Sequence, residues 1–510
     1  MRQMLKPIAS IFVLSIALLI AAGPRGAATA PIAQSATSTI PQYTFDINLD
    51  YGAHRVDAVE QVKVTNPDTQ TISGVVFNVP AAHTAGLFKL RSIQVNGQPA
   101  AYDFADTLLS VKLPAPLQPD QSVLVSLSFG VDVPPLGNPQ SFAAADLAYS
   151  DVALNVGYWY PLLAPYRLGS GWVNVPWAPI GDPFAGDSAD YQATITATPG
   201  VTIVSGGDVT HRGNVWQVDL PRGRTLGLIA SPYYQPASVK FGNVTYSTYL
   251  LPQHAYLAPI TLQTMIRALA LYTALYGPYP YADLRIAEFS GPWSMEFGGF
   301  CLLGTTEFDD YDGGFRNRLI RIAAHEISHQ WWYGVVGDDQ AREPWLDEGL
   351  ARFNEVRYYE AYSPQDVAWW WAAIIRPNAP TAPLNSAVYD FHDHGSYLNS
   401  VYDQGATFLN TLRSEIGVDT FNSFLHDLYT RESFRMMTTQ DFFNVLKEHT
   451  AVDLAPLIRR FFKCSAGASR WRPNPRINRP TFNQSGRWLC PFNTFSTHWI
   501  RFCGLIGLLM

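Results

Sequence analysis

The segment His325-Glu-Ile-Ser-His329, followed by Glu348, contains the residues of this sequence that are best suited to chemistry. Imidazoles four residues apart on a helix point in the same direction, so that both can bind one metal ion. Zinc in hydrolases takes three protein ligands and keeps one position open, and Glu348 can supply the third ligand. Glu326 is then free to act as a general base toward the attacking water. The spacing predicts a hydrolase with one zinc ion per chain, bound by His325, His329 and Glu348.

The flanking sequence predicts that both histidines lie on a helix. Arginines alternate with apolar residues at three- and four-residue spacings, namely Leu319, Ile322, Ala323 and Ile327. Pro344 begins a second helix, and Glu348 falls in its first turn. Two helices joined by a loop can return this carboxylate to the imidazoles. A helix with two ordinary surface histidines is the alternative, and this context disfavours it.

Four segments follow one another in a recognisable order. They are Tyr276-Gly-Pro-Tyr-Pro280, Ser294-Met-Glu-Phe297, the histidine motif with Trp345-Leu-Asp-Glu-Gly-Leu-Ala351, and Val401-Tyr-Asp-Gln-Gly-Ala406. In this order they resemble the aminopeptidase N and leukotriene A4 hydrolase family of gluzincin zinc peptidases, which is peptidase family M1. The resemblance implies an all-β amino-terminal sandwich domain, a thermolysin-like and mainly helical catalytic domain, zinc, and peptide substrates.

The resemblance also implies roles for residues outside the metal motif. Glu296 would bind the free amino group of a substrate through a charge-assisted hydrogen bond. Tyr402 would donate a hydrogen bond to the oxygen on which negative charge develops. Asp347 and Glu355 are expected to orient the ligands. The alternatives are a strand-edge charge for Glu296 and an ordinary core tyrosine for Tyr402.

Two positions depart from the family pattern. The exopeptidase signature usually begins with Gly and ends with Asn, whereas this chain has Trp293 and Phe297. We expect these two side chains to narrow or reshape the cleft, which leaves strict amino-terminal specificity open. The predicted function is a zinc metallopeptidase, and specifically an aminopeptidase that removes amino-terminal residues from peptides. A zinc endopeptidase of related fold and a non-catalytic binding protein that retains the fold are the alternatives.

Periodicity predicts a multidomain α+β chain. Short alternating segments separated by turn residues predict a β-sandwich over residues 35–240. They are Tyr43–Leu49, Val59–Val64, Leu108–Leu113, Ser122–Phe129, Tyr191–Thr198 and Val215–Leu220. After Pro259 the apolar period becomes helical, which predicts the catalytic domain over residues 241–463. From residue 464 to 510 the sequence is basic and without period, and we expect this tail to be poorly ordered.

The composition and the amino-terminal segment indicate which partners to expect and where the protein acts. The 510 residues are 47% hydrophobic, and a net charge of −7 gives no reason to expect nucleic acid as a partner. Residues 1–30 combine basic residues, an apolar run and Ala28-Thr-Ala30, which is typical of a signal peptide or an amino-terminal membrane anchor. The protein is therefore expected to be exported and either secreted, periplasmic or membrane-anchored. The sequence does not indicate an oligomeric state or a pairing of the four cysteines.

Overall fold

The computed structural model describes residues 40–137, 146–376 and 378–463. The amino-terminal part of these residues is all-β, as predicted. Its strands are β1 (Gln42–Asp50), β2 (Arg55–Thr65), β3 (Ile72–Asn78), β4 (Phe88–Val95), β5 (Gln98–Pro99), β6 (Tyr102–Ala105), β7 (Leu108–Leu117), β8 (Ser122–Asp132), β9 (Leu147–Tyr149), β10 (Leu154–Val156), β11 (Leu162–Leu163), β12 (Tyr166–Arg167), β13 (Gly171–Trp172), β14 (Ala189–Ala197), β15 (Thr202–Ser205), β16 (Asp208–Arg212), β17 (Val215–Gly223) and β18 (Leu228–Ser231). The six strands that alternation predicts are confirmed, and each of their ends lies within four residues of the predicted one.

The largest sheet has eight strands in the order β16-β17-β14-β1-β2-β8-β4-β5. Two four-stranded sheets, β15-β18-β10-β9 and β11-β3-β7-β6, accompany it. Side chains along β1 and β2 alternate strictly between exposed and buried, because successive residues of a strand face opposite sides of a sheet. The buried face forms a continuous hydrophobic core that includes Phe45, Phe129 and Trp159. This alternation is what the sequence pattern detects.

The second part of the chain combines a five-stranded sheet with helices. The sheet has the order β19-β20-β21-β23-β22 and consists of β19 (Gln235–Phe241), β20 (Val244–Leu250), β21 (Asp283–Phe289), β22 (Met295–Phe297) and β23 (Phe300–Gly304). The α-helices are α1 (Ala258–Tyr276), α2 (Thr305–Asp309), α3 (Arg318–Ser328), α4 (Leu350–Tyr362), α5 (Val367–Trp370), α6 (His394–Leu398), α7 (Gln404–Ile416), α8 (Val418–Glu432), α9 (Thr439–His449) and α10 (Ala455–Phe461). An all-β region followed by a mainly helical one confirms the predicted fold class.

The predicted division at residues 240 and 241 falls at the end of β19, within a hairpin whose second strand pairs with β21. The domain limits themselves stay a prediction. The predicted signal or anchor segment and the predicted tail lie outside the described residues. Among residues 40–137, 146–376 and 378–463, no helix combines the length and hydrophobicity that a bilayer span requires.

Helix α3 is central to the second part of the chain. Asn317 caps it, since the Asn317 side chain accepts a hydrogen bond from the backbone N–H of Ile320. The buried hydroxyl of Tyr272 of α1 lies 3.0 Å from the carbonyl oxygen of Ala324 and 3.1 Å from that of Asn354, so both carbonyls share its single proton. One side chain thus joins α1, α3 and α4, and it fixes the helix of the histidine motif against the helix that follows Glu348.

Candidate metal centre and active site

The three predicted zinc ligands meet at one point. The Nε2 atoms of His325 and His329 lie 3.1 Å and 3.4 Å from the same oxygen of Glu348, Oε2. The ligand atoms of all three residues lie within 4.8 Å of one another, and all three side chains are buried. A site of two imidazoles and one carboxylate with this spacing matches the donor set of a catalytic zinc site.

The second nitrogen of each imidazole has its own partner. His325 Nδ1 lies 3.0 Å from Glu355 Oε1, and His329 Nδ1 lies 3.0 Å from the carbonyl oxygen of Trp332. These acceptors hold the ring protons on Nδ1, which leaves both Nε2 lone pairs free to bind a metal. The ligands are therefore oriented by the protein itself.

Glu355 is held by more than His325. Its carboxylate accepts hydrogen bonds from Arg321, from Arg352 at 2.7 Å and from the indole N–H of Trp370 at 3.0 Å. Burial alone would raise the pKa of Glu355, but Arg352 and Arg321 outweigh it and hold the pKa well below its usual range. Glu355 therefore carries a full negative charge behind His325.

Two residues that bind Glu355 could not be predicted from the sequence. Arg321 is buried against Glu355. It is buried because the charge of Glu355 is itself buried and requires a partner. Trp370 appears in the sequence as one of three consecutive tryptophans, and nothing in that run distinguishes the one that binds Glu355.

Glu326 lies beside the ligands and is left unpaired. Its Oε2 is buried and has no hydrogen-bond partner among the described residues. Burial raises the pKa of the Glu326 carboxyl well above its usual range, and the charge of Glu296 adds to this against the opposing effect of His329. Glu326, Glu296 and His329 also form a second group at metal-ligand distances. That group would need the same His329 Nε2, so Glu326 remains available as a base.

Glu348 and Tyr402 lie in two π-helical turns, Trp345–Gly349 and Asn399–Asp403. Such turns are frequent at functional sites because they reposition a side chain within a helix. The Tyr402 ring is parallel to that of His325, with centroids 5.8 Å apart. Burial, reinforced by the charge of Glu348, raises the pKa of Tyr402 well above its usual value, so the phenol keeps its proton and remains a donor.

Glu296 lies on β22 at the edge of the sheet and faces the metal centre. Gln340 donates a hydrogen bond from Nε2 to Glu296 Oε1 at 2.8 Å and another to Asp347 Oδ2 at 2.9 Å. Asp347 in turn accepts the backbone N–H of Glu348 at 2.7 Å. Gln340 thus connects the predicted amino-group ligand with the predicted metal ligand. Sequence analysis missed it, since it lies in a polar loop without a motif.

Residues 300–461 match the family model described as the Peptidase family M1 domain. The matched residues include both histidines of the metal centre, Glu326, Glu348 and Tyr402. Residues 300–461 are therefore a peptidase family M1 domain. The M1 domain match begins at Phe300, the first residue of β23, and ends at Phe461, the last residue of α10.

Individual M1 relatives are distant in sequence. Aminopeptidase M1-D from Oryza sativa subsp. japonica is 22% identical over 202 residues, which are 37% of this chain and 23% of that protein. Aminopeptidase N from Streptomyces lividans is 24% identical over 318 residues, which are 56% of this chain and 36% of that protein. The matched residues thus span 23% and 36% of the length of these two relatives.

A solved structure shares the fold over a larger part of the chain. It is a mutant M1 zinc metallopeptidase from Deinococcus radiodurans bound to a Tyr-Ser-Ala substrate. The TM-score is 0.60 at 18% sequence identity, and the match covers 85% of this chain and 95% of the other. This likeness shows that the two proteins have the same fold.

Trp293 and Phe297, the two residues that depart from the M1 exopeptidase signature, lie on different sides of the site. The Trp293 side chain lines the cavity of the metal centre, as expected. The expectation that Phe297 narrows the cleft is wrong. Its ring stacks on Phe300 with centroids 5.4 Å apart, and a Cβ added to Gly227 would lie 2.5 Å from it. Phe297 turns away from the cavity because Gly157 and Gly227 leave space for the ring on the side of the β-sheets.

The cavity of this M1 site has a volume of about 180 Å³. Five carboxyl groups and three arginines line it. Glu307 is paired with Arg318, whereas the other carboxyl groups have no arginine partner. They are Asp182, Glu296, Glu326 and Glu348, and the remaining arginines are Arg321 and Arg352. Asp182 lies in the loop between β13 and β14 and was not predicted as a site residue.

Proposed function

We propose that this protein is a zinc-dependent aminopeptidase that removes residues from the amino end of peptides. The observation that carries the proposal is the convergence of two imidazoles and Glu348 next to an unpaired Glu326 and facing Glu296. The peptide bound to the Deinococcus protein supports the choice of substrate class. His325, His329 and Glu348 would hold the zinc ion.

Zinc supplies Lewis acidity and a more acidic water when it is bound. The side chains of this protein transfer the proton and stabilise the developing negative charge. Glu326 Oε2 takes the proton of the attacking water and delivers it to the departing amine. Tyr402 donates a hydrogen bond to the oxygen of the attacked carbonyl, where negative charge develops. Because Tyr402 is buried, this hydrogen bond is stronger than it would be in water.

Glu296 supports action at the amino end. It is buried, faces the cavity and accepts one hydrogen bond from Gln340, which leaves carboxylate lone pairs free for a substrate. An α-ammonium group bound to Glu296 would lie close to the metal centre, because a carboxylate oxygen of Glu296 is within 4.8 Å of a ring nitrogen of His329. A blocked amino group would instead leave the Glu296 charge buried without a cation, which costs free energy.

A panel of free and N-acetylated aminoacyl amides, assayed together with a metal analysis, tests this proposal. We expect one zinc per chain, turnover of the free amides and at least tenfold slower turnover of the acetylated ones. Equal rates on both sets would refute the amino-terminal specificity and favour an endopeptidase. Stoichiometric zinc without hydrolysis of any peptide would refute the enzyme assignment.

We also propose that the protein acts outside the cytoplasm. The basic and apolar character of residues 1–30 supports export, and no other feature bears on it. Fractionation of cells that produce the full chain tests this. Recovery of the activity with cytoplasmic markers would refute it.

A further inference from the structure

Asp182 reaches the cavity from the amino-terminal β-rich part of the chain. The preceding residue, Gly181, has a φ of +64°, and a Cβ added there would lie 2.7 Å from both Tyr397 and Val388. A glycine at this position therefore allows the loop to pack directly against the catalytic region. The result is that the Asp182 side chain, only 6% exposed, forms part of the cavity wall together with Glu296 and Trp293.

The Asp182 carboxylate has no protein partner that would satisfy it. Within residues 40–137, 146–376 and 378–463, no donor is hydrogen-bonded to it, and its electrostatic neighbours are the acidic groups of Glu296, Glu348, Asp146 and Asp347. Burial raises the pKa of the Asp182 carboxyl, and these like charges raise it further. The charged form of a carboxyl group in such surroundings costs free energy unless a cation binds to it.

The arginines of the cavity do not provide that cation. Arg318 makes a bidentate ion pair with Glu307, with N–O distances of 2.7 and 2.8 Å. Arg321 and Arg352 both bind Glu355, and Arg352 also lies 3.1 Å from Asp403. The positive groups of the cavity are thus paired within the protein, whereas Asp182 is not.

The carboxyl groups of the cavity wall indicate what the substrate must bring. Glu348 is placed to bind the metal ion, Glu326 to act as the base, and Glu296 to accept the α-ammonium group of a peptide. Asp182 has none of these roles and no arginine partner, so a second cationic group of the substrate can form an ion pair with it. Trp293 lies on the same wall, and an aromatic ring attracts an alkyl-ammonium or guanidinium group that comes within about 6 Å of its centroid.

Building on the proposed aminopeptidase function, we propose that Asp182 binds the cationic side chain of an amino-terminal Lys or Arg and makes this enzyme selective for basic residues. Asp182 would act as a specificity residue rather than a catalytic one. A charge-assisted hydrogen bond of this kind changes selectivity by about tenfold to a hundredfold.

The test compares Lys with norleucine, and Arg with citrulline, as amino-terminal residues of otherwise identical amides. Each pair has nearly the same shape and differs in charge. We expect kcat/KM to favour the cationic member at least tenfold, and the ratio to fall to about one in Asp182→Asn. In the matched control Asp338→Asn, which removes a buried carboxyl that neither lines the cavity nor is an electrostatic neighbour of Asp182, the ratio should persist.

A wild-type protein without preference for the cationic members would overturn the proposal, and so would an unchanged ratio in Asp182→Asn. Asp182→Ser provides a second variant if the amide variant unfolds at a lower temperature than the wild type. Calorimetric titration of zinc-loaded protein with lysinamide and norleucinamide gives a readout without turnover. Tighter binding of lysinamide by wild type but not by Asp182→Asn would uphold the Asp182 site even if hydrolysis failed, whereas equal binding would refute it.

Discussion

Gly349 and Gly405 lie against each other, and a Cβ added to Gly405 would be 2.6 Å from the α-carbon of Gly349. Gly349 directly follows Glu348, and Gly405 comes three residues after Tyr402. The two π-helical turns that carry these side chains can therefore approach until their backbones touch. This contact places the metal ligand and the phenol beside the same imidazole ring, that of His325.

Gly405→Ala is predicted to impair both stability and activity. The added methyl group has no space at the contact with Gly349, so the two turns must separate. We expect the free energy of unfolding to fall by about 1–3 kcal/mol and kcat to fall more than zinc affinity, because Tyr402 moves with its turn. Urea denaturation, zinc titration and steady-state kinetics measure the three quantities. Gly52→Ala, where the nearest atom is 3.7 Å from the new Cβ, is the control.

Glu326→Gln is predicted to retain zinc and lose turnover. Glu326 does not belong to the set of two imidazoles and Glu348, and its amide analogue keeps the shape but cannot accept the proton. We expect kcat to fall by about 10²–10⁴-fold with the metal content unchanged. Metal analysis and kinetics on the same preparation check this. A variant with wild-type kcat would show that another group is the base.

Glu355→Gln is predicted to weaken both the fold and the metal centre. The substitution leaves Arg321 and Arg352 buried beside a neutral amide, which costs about 3–5 kcal/mol when a buried pair is broken. It also removes the acceptor that orients His325, for which we expect about 10–100-fold weaker zinc binding. Competition with a zinc chelator and urea denaturation report the two effects.

Glu360→Gln is the matched control for that prediction. Glu360 also pairs with two arginines, Arg357 and Arg413, but its side chain is 33% exposed and these arginines do not contact Glu355 among the described residues. We expect it to change the free energy of unfolding by no more than about 1 kcal/mol and to leave zinc affinity unchanged. Equal zinc affinities of Glu355→Gln and Glu360→Gln would contradict the orienting role.

Glu60 is predicted to make stability depend on pH. It points into the core of the β-sheets, is fully buried, and neither carboxylate oxygen has a hydrogen-bond partner among the described residues. Burial raises the pKa of Glu60 well above its usual value. The folded protein therefore binds a proton that the unfolded chain releases above about pH 4.3, so stability falls as pH rises from there to the raised pKa.

Glu60→Gln should remove this slope, since the amide cannot ionise. We expect the variant to exceed the wild type in free energy of unfolding by about 1–3 kcal/mol at pH 8 and by less at pH 5. Urea denaturation at both pH values measures the difference. A variant that is less stable than wild type at pH 8 would show that the charged form is stabilised by a partner.

Much of the site follows from local spacing. A spacing of four residues between two histidines places both rings on one side of any α-helix, and a proline followed by Glu348 predicts the helix that returns to them. Alternation predicts six strands of the β-rich part for the same local reason. These features depend on the period of a helix or a strand, which every residue within the element obeys.

Contacts between residues that are far apart in the sequence cannot be predicted from helix and strand periods. Neither the direction of the Phe297 ring nor the burial of Arg321 can be inferred without knowing that Gly227 and Glu355 lie opposite them. Gln340 has no motif, and its importance depends on Glu296 and Asp347 both being within reach.

The sequence by itself predicted the metal ligands and the base, and it determined the order of the β-rich and helical parts. Only the tertiary structure decided that Asp182 faces the cavity, that Gly349 meets Gly405, and that one glutamate holds two arginines behind His325. The physical reason is that helix and strand periods act over a few residues. The electrostatics of a buried site depend on which charges the folded chain brings together from far apart.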